Sequence, residues 1–184
     1  MSLFPFEDVR FLQRFLKAGG FDVGAIDGLR GAKTNVAIQA FQLESRRIKS
    51  ILESFELRSE QNIEALQIPL QKKARQFLTR LSDAGIHVRI LSGTRSYAEQ
   101  NALYAKGRTA PGAKVTNARG GQSNHNFGIA FDIGIFEGDR YLTFGTSYAK
   151  AGAIGEALGL EWGGRWKTFK DLAHFQLPST LTLA

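Results

Sequence analysis

A chain of 184 residues, 43% hydrophobic and 22% charged, can hold one ordinary domain or two small ones with a buried core, which excludes a large multidomain machine and a disordered polypeptide. It contains no cysteine, so disulfides, thiol nucleophiles and Cys-ligated zinc or iron–sulfur sites are excluded, and any metal must be held by His, Asp or Glu. The net charge of +7 favours an anionic partner and is unevenly placed, with nine basic and nine acidic residues up to residue 66 against fifteen and eight from residue 67 onward.

Asp8 is placed to cap a first helix, in which Val9, Phe11, Leu12, Phe15 and Leu16 recur at helical spacing until Gly19-Gly20. A Gly- and Asp-rich loop over 21–31 follows, and then a second helix with Thr34 as its cap and Ala37, Ile38 and Phe41 inward. Val9-x-x-Leu-Gln, Asp27-Gly28, Gly31, Thr34, Ala37 and Phe41-Gln42 resemble the peptidoglycan-binding repeat found beside many wall-cleaving enzymes. That resemblance implies a small all-α wall-binding module over 1–45. Ile48, Ile51, Leu52 and Phe55 continue at helical spacing where the repeat has a separate third helix, so 46–66 reads as a helical linker ending in a polar hinge over 58–68.

A second domain, 67–184, opens with Pro69 in the first turn of a helix whose inward face is Leu70, Ala74, Phe77, Leu78 and Leu81, closed by Gly85. Ile86, Val88 and Ile90 predict a short strand, and Ser96-x-x-Glu99 a capping box opening a helix that Gly107 ends. A long polar loop covers 108–124, a length that often carries function. Phe127, Ile129, Phe131, Ile133 and Ile135 then alternate with small residues and one carboxylate, Asp132, predicting a strand with one nearly bare face. A helix over 147–158 and a strand at Phe175-Gln176-Leu177 complete the domain. Without a regular βαβ rhythm, the expected class is α+β, with a mixed or antiparallel sheet flanked by helices.

The chemistry concentrates in Ser123-Asn124-His125-Asn126-Phe127-Gly128-Ile129-Ala130-Phe131-Asp132 and Asp171-Leu172-Ala173-His174. Two His and one carboxylate form a common catalytic zinc set that leaves a fourth position for water, and Asp171 stands three residues before the second His as a candidate base. These segments resemble the zinc metallopeptidases of the D-alanyl-D-alanine carboxypeptidase and L-alanyl-D-glutamate endopeptidase superfamily, with Ser-x-His-x-x-Gly-x-Ala-x-Asp and a later acid-x-x-His. The resemblance extends over about 67–178 and includes Ser92-Gly93-Thr94-Arg95-Ser96 and Glu161-Trp162-Gly163-Gly164-x-Trp166. Asp rather than Glu at 171 is most similar to the L-alanyl-D-glutamate branch common in phage endolysins.

The resemblance implies one zinc per chain on His125, Asp132 and His174, with Asp171 as general base and then acid and Arg95 stabilising the oxyanion. Ser123 is a weaker candidate for touching substrate, its alternative being to close a loop. Trp166 and Trp162 are candidates for either core or substrate platform, and His87 has no motif around it. The expected partner is bacterial peptidoglycan, whose stem carboxylates suit the ten basic residues between Lys72 and Arg119; no nucleic-acid motif accompanies them. No apolar run reaches membrane-spanning length and the first ten residues do not read as a secretory signal. The expectation is therefore a monomer acting on the wall, reached by release from the host cytoplasm if it is an endolysin or by export if a signal has been removed. A D,D-carboxypeptidase and a noncatalytic wall-binding protein are the alternatives.

Overall fold

In the computed structural model, residues 8–178 are described; residues 1–7 and 179–184 of the expected domains lie outside them. Asp8 caps α1 (Val9–Ala18) by accepting from the Phe11 N–H at 3.1 Å. One face of α1 packs Leu12, Phe15 and Leu16 against Ala37, Ile38 and Phe41 of α2 (Ala32–Ile51), with Val23 closing the cluster from the loop between them. That loop is held by the buried Gln13. Its Nε2 donates to Asp27 Oδ1, Leu29 O and Thr34 Oγ1, and its Oε1 accepts from Gly28 N at 2.9 Å. Thr34 is thus not the cap expected of it: α2 begins two residues earlier, after Gly31, and the Thr34 hydroxyl is spent on Gln13.

Helix α2 runs through residue 45 without a break and meets the rest of the chain through Ser45 Oγ, which donates to Gln71 Oε1 at 2.8 Å. The polar stretch from 58 is not a hinge. Leu57–Glu64 is a helix, α3, capped by Glu56, whose carboxylate accepts from Arg58 N and Ser59 N. Two of its polar residues, Ser59 and Glu60, face inward because each has a buried partner. Ser59 Oγ accepts from Ile90 N at 2.8 Å, and Glu60 receives both Arg75 Nη atoms at 2.7 and 2.9 Å.

Helix α4 (Ile68–Asp83) has Pro69 in its first turn, and Gly85, just past its end, takes the left-handed conformation at φ +69°. Strands β1 (His87–Ser92), β2 (Ala130–Glu137), β3 (Arg140–Leu142), β4 (Glu161–Trp162) and β5 (His174–Gln176) form one antiparallel sheet in the order β1-β2-β5-β4, with β3 paired to the end of β2. Helix α5 (Tyr97–Ala105) begins with the expected Ser96–Glu99 capping box, and α6 (Thr146–Ala157) matches the last expected helix. Residues of α4 and α6 cover the sheet face formed by Phe131, Ile133, Ile135 and Phe175, all essentially buried. The class is α+β, as expected.

Two local departures matter. Phe127 does not join β2: it ends a 3₁₀ turn (Asn124–Phe127) and is 38% exposed, because Gly128, at φ +68°, turns the chain before the strand begins. Trp162 is core. It lies flat on Gly152 of α6, where a Cβ would sit 2.3 Å from its ring, and its Nε1 donates to Leu172 O.

Candidate metal centre and active-site cleft

The bare face of β2 carries Asp132, and the β2–β5 register puts it directly opposite His174. Cross-strand partners have adjacent Cβ atoms, so two candidate ligands arise from sheet pairing alone. The third comes from the 3₁₀ turn, which Ser123 caps and Gly128 closes, presenting His125 to the same point. His125 Nε2 is 3.2 Å from Asp132 Oδ1 and 3.3 Å from His174 Nδ1, and His174 Nδ1 is 3.1 Å from Asp132 Oδ1. Two imidazole nitrogens and a carboxylate oxygen converging on one point is a metal-ligand geometry.

Both imidazoles are held in the tautomers a metal needs. His125 Nδ1 donates to Gly93 O at 2.7 Å and His174 Nε2 to Gln176 Oε1 at 2.9 Å, leaving Nε2 of the first and Nδ1 of the second as lone-pair donors. The Gln176 amide is oriented in turn, since its Oε1 also accepts from Asn124 Nδ2 and its Nε2 donates to Glu161 Oε2, both at 2.7 Å. Burial opposes the charge on Asp132, but His125 and then His174 outweigh it and hold the carboxyl far below the usual range. Burial likewise opposes charge on His174, and the hydrogen bond to Asp132 raises its pKa nonetheless.

Arg95 is locked on three sides. Its Nε donates to Ser92 Oγ, Nη1 to the buried Gln100 Oε1, and Nη2 to Asp132 Oδ2 at 2.5 Å. Its backbone N–H donates to His125 O, so the Arg95 loop and the metal turn are stitched together. Asp171 lies half-buried in the cleft with Oδ1 accepting from Ala173 N at 3.2 Å. Burial, and then repulsion from Asp132, push its pKa up.

These groups sit at the base of a cleft of about 620 Å³ that Arg95, His125, Asp132, Asp171 and His174 all line, together with Ser123 and Trp166. Ser123 therefore both caps the turn and faces the cleft. The Trp166 ring is 4.9 Å from that of His174, while Val115 and Phe169, 47% and 52% exposed, offer apolar surface on the walls. All seven residues singled out in the sequence meet here. His87 stands apart, exposed beside Phe136. Sequence reasoning missed Gln100, Gln176, Asn124 and Glu161. For Gln176 the available signal was strand periodicity, which puts it on the same face as His174 two residues earlier.

Residues 116–177, which include His125, Asp132, Asp171 and His174, match the family model described as D-alanyl-D-alanine carboxypeptidase. That match covers about a third of the chain and makes this segment similar to that peptidase family. Residues 7–47 match the model of a peptidoglycan binding domain. The chain is 40% identical over 106 residues to the peptidoglycan L-alanyl-D-glutamate endopeptidase CwlK of Bacillus subtilis, a match covering 52% of this chain and 64% of that protein, just under two thirds of its length. Among solved structures it is similar to the L-Ala D-Glu endopeptidase ChiX of Serratia marcescens, with a TM-score of 0.55 and 26% identity, covering 74% of this chain and 99% of that one. Among the described residues, no helix is long and apolar enough to cross a membrane.

Proposed function

We propose that this chain is a zinc-dependent endopeptidase that hydrolyses the bond between L-alanine and D-glutamate in peptidoglycan stem peptides, working at the cell wall as a monomer with its N-terminal domain as the wall-binding part. The observation that carries the reading is the convergence of His125, Asp132 and His174 in a cleft that also presents Asp171. The activities named for the similar Bacillus and Serratia proteins support the choice of bond.

His125 Nε2, Asp132 Oδ1 and His174 Nδ1 would hold the zinc, which when bound supplies Lewis-acid polarisation of the scissile carbonyl and lowers the pKa of a water. Asp171, whose raised pKa makes it a better base than an ordinary aspartate, takes the proton of the attacking water. As the carbon–nitrogen bond breaks, Asp171 returns that proton to the departing D-glutamate amine. Arg95 keeps a fixed positive charge in the cleft through its bond to Asp132 and opposes the negative charge that grows on the carbonyl oxygen. Trp166, Val115 and Phe169 provide apolar surface for the alanine side.

Charge in the two segments that contribute residues to the cleft supports an acidic substrate. Between Glu99 and Asp132 the chain has Lys106, Arg108, Lys114 and Arg119 and no acid, and between Glu161 and Asp171 it has Arg165, Lys167 and Lys170 and no acid. Stem peptides carry free carboxylates that such basic segments attract. Mass spectrometry of muropeptides after digestion tests the reading: a new N-terminal D-glutamate is expected. Release of D-alanine alone would instead make the enzyme a D,D-carboxypeptidase, and wall binding without any cleavage would make it a noncatalytic binder.

A further inference from the structure

Gln67 is fully buried where the two halves of the chain meet. Its backbone N–H donates to Gly128 O at 2.9 Å, and its side-chain Nε2 donates to Phe15 O at 2.8 Å. One residue thus bonds both to α1 of the N-terminal domain and to the glycine that closes the His125 turn.

The apposition is tight. A Cβ at Gly128 would lie 2.4 Å from Phe15 Cε2 and 3.0 Å from Thr94 Oγ1, so only glycine lets α1 come this close to the turn. Thr94, which precedes Arg95, is anchored by donating to Ala65 O at 2.6 Å. A second contact from α1 reaches the other side of the turn, where the Phe11 ring meets Tyr97 edge-on at 5.1 Å. The Tyr97 ring lies beside Gly121, whose N–H donates to Asn126 Oδ1, next to His125. Close-packed groups of this kind move together or not at all.

We propose that Gln67 is a positioning residue that locks α1 against the His125 turn, making the N-terminal domain a structural part of the catalytic centre and not only its tether to the wall. The inference rests on the peptidase reading above. A domain joined only by a tether raises local concentration at an insoluble substrate and leaves the chemistry on a soluble one unchanged. Here, cleavage of a soluble stem peptide, which makes no use of wall binding, depends on the Gln67 contact.

The test uses the full chain as wild type, Gln67→Leu and Val23→Ala. Gln67→Leu keeps the backbone bond to Gly128 but removes the side-chain bond to Phe15, whereas Val23→Ala loosens the same N-terminal core from its loop side. Three quantities are read: hydrogen exchange of the amides from 124 to 129, zinc dissociation by chelator competition, and kcat and KM on a soluble stem peptide. Gln67→Leu is expected to speed exchange in the turn, weaken zinc binding by about tenfold, and lower kcat with little change in KM. Val23→Ala is expected to lower the melting temperature while leaving the turn and the zinc affinity as in wild type. Unchanged exchange and zinc affinity in Gln67→Leu would overturn the inference, as would equal changes in Val23→Ala, which would mark general loosening. If wild type cleaves no stem peptide, the peptidase reading fails, and exchange and zinc affinity still decide the coupling.

Discussion

Arg95 Nη2 lies 2.5 Å from Asp132 Oδ2, the oxygen opposite the one that faces His125 and His174. The guanidinium therefore aims the carboxylate before any substrate arrives. Lysine at this position keeps the charge but cannot bridge Ser92, Gln100 and Asp132 at once. Arg95→Lys is expected to weaken zinc binding by about 10- to 100-fold, as loss of a ligand-orienting hydrogen bond does. With zinc saturating, a remaining loss of about 2–4 kcal/mol in transition-state stabilisation is expected from the misplaced charge. Chelator titration reads the first effect and kcat at saturating zinc the second.

Gln176 does for His174 what Arg95 does for Asp132. Replacing it with leucine removes the acceptor for His174 Nε2–H, so Nδ1 is no longer reserved for the metal. Zinc affinity is expected to fall about 10- to 100-fold, with excess zinc restoring most activity. The ligands behave differently. His125→Ala should abolish stoichiometric metal, and chelation, which lowers the melting temperature of wild type by removing a ligand that binds only the folded chain, should leave this variant's melting temperature unchanged.

On the proposed mechanism, Asp171 sets the acid limb of the rate profile. Its working form as base is the carboxylate, and burial with repulsion from Asp132 raises its pKa, so activity is lost as pH falls through a value above the aspartate norm of about 3.9. kcat/KM measured across acidic pH should show that limb. Asp171→Asn should lower kcat by about 100- to 10,000-fold while zinc content stays near one per chain. Full rescue of the asparagine variant by added zinc would make Asp171 a metal-orienting group instead.

How much of this was legible beforehand varies with the physics of each segment. The α1 cap, the Pro69 helix and the Ser96 capping box were readable because local sequence alone determines them, whereas the placing of Asp132 opposite His174 comes from the β2–β5 register. The hinge expected at 58–68 failed because polarity was taken for exposure, whereas Ser59, Glu60 and Gln67 are buried against partners 15 to 61 residues away. Thr34 misled similarly, its hydroxyl being used by Gln13 across the loop. Strand β3, three residues long, has too little pattern to stand out, and Phe127 fitted the alternation of β2 although Gly128 breaks the strand just after it.

The Glu60–Arg75 pair carries a stability prediction of its own. Arg75 is fully buried, bonds both Glu60 oxygens and Glu53 O, and leaves its Nε without a partner among the described residues. Burial opposes the Glu60 charge, yet bonds from Arg75, Lys49 and Phe55 N outweigh it and lower the pKa. A carboxyl with a depressed folded pKa stabilises above its unfolded value of about 4.3, and that contribution fades as pH falls through the folded pKa. Glu60→Gln strands the Arg75 charge in the interior and is expected to cost about 3–5 kcal/mol at pH 7. Urea unfolding at neutral and at strongly acidic pH should show the gap between wild type and variant narrowing in acid, where wild-type Glu60 is itself protonated. Because the loss comes from an uncompensated charge rather than from a missing attraction, Glu60→Leu combined with Arg75→Met should recover most of it at pH 7. A double variant as unstable as Glu60→Gln would show that the pair contributes net attraction, beyond compensating its own burial.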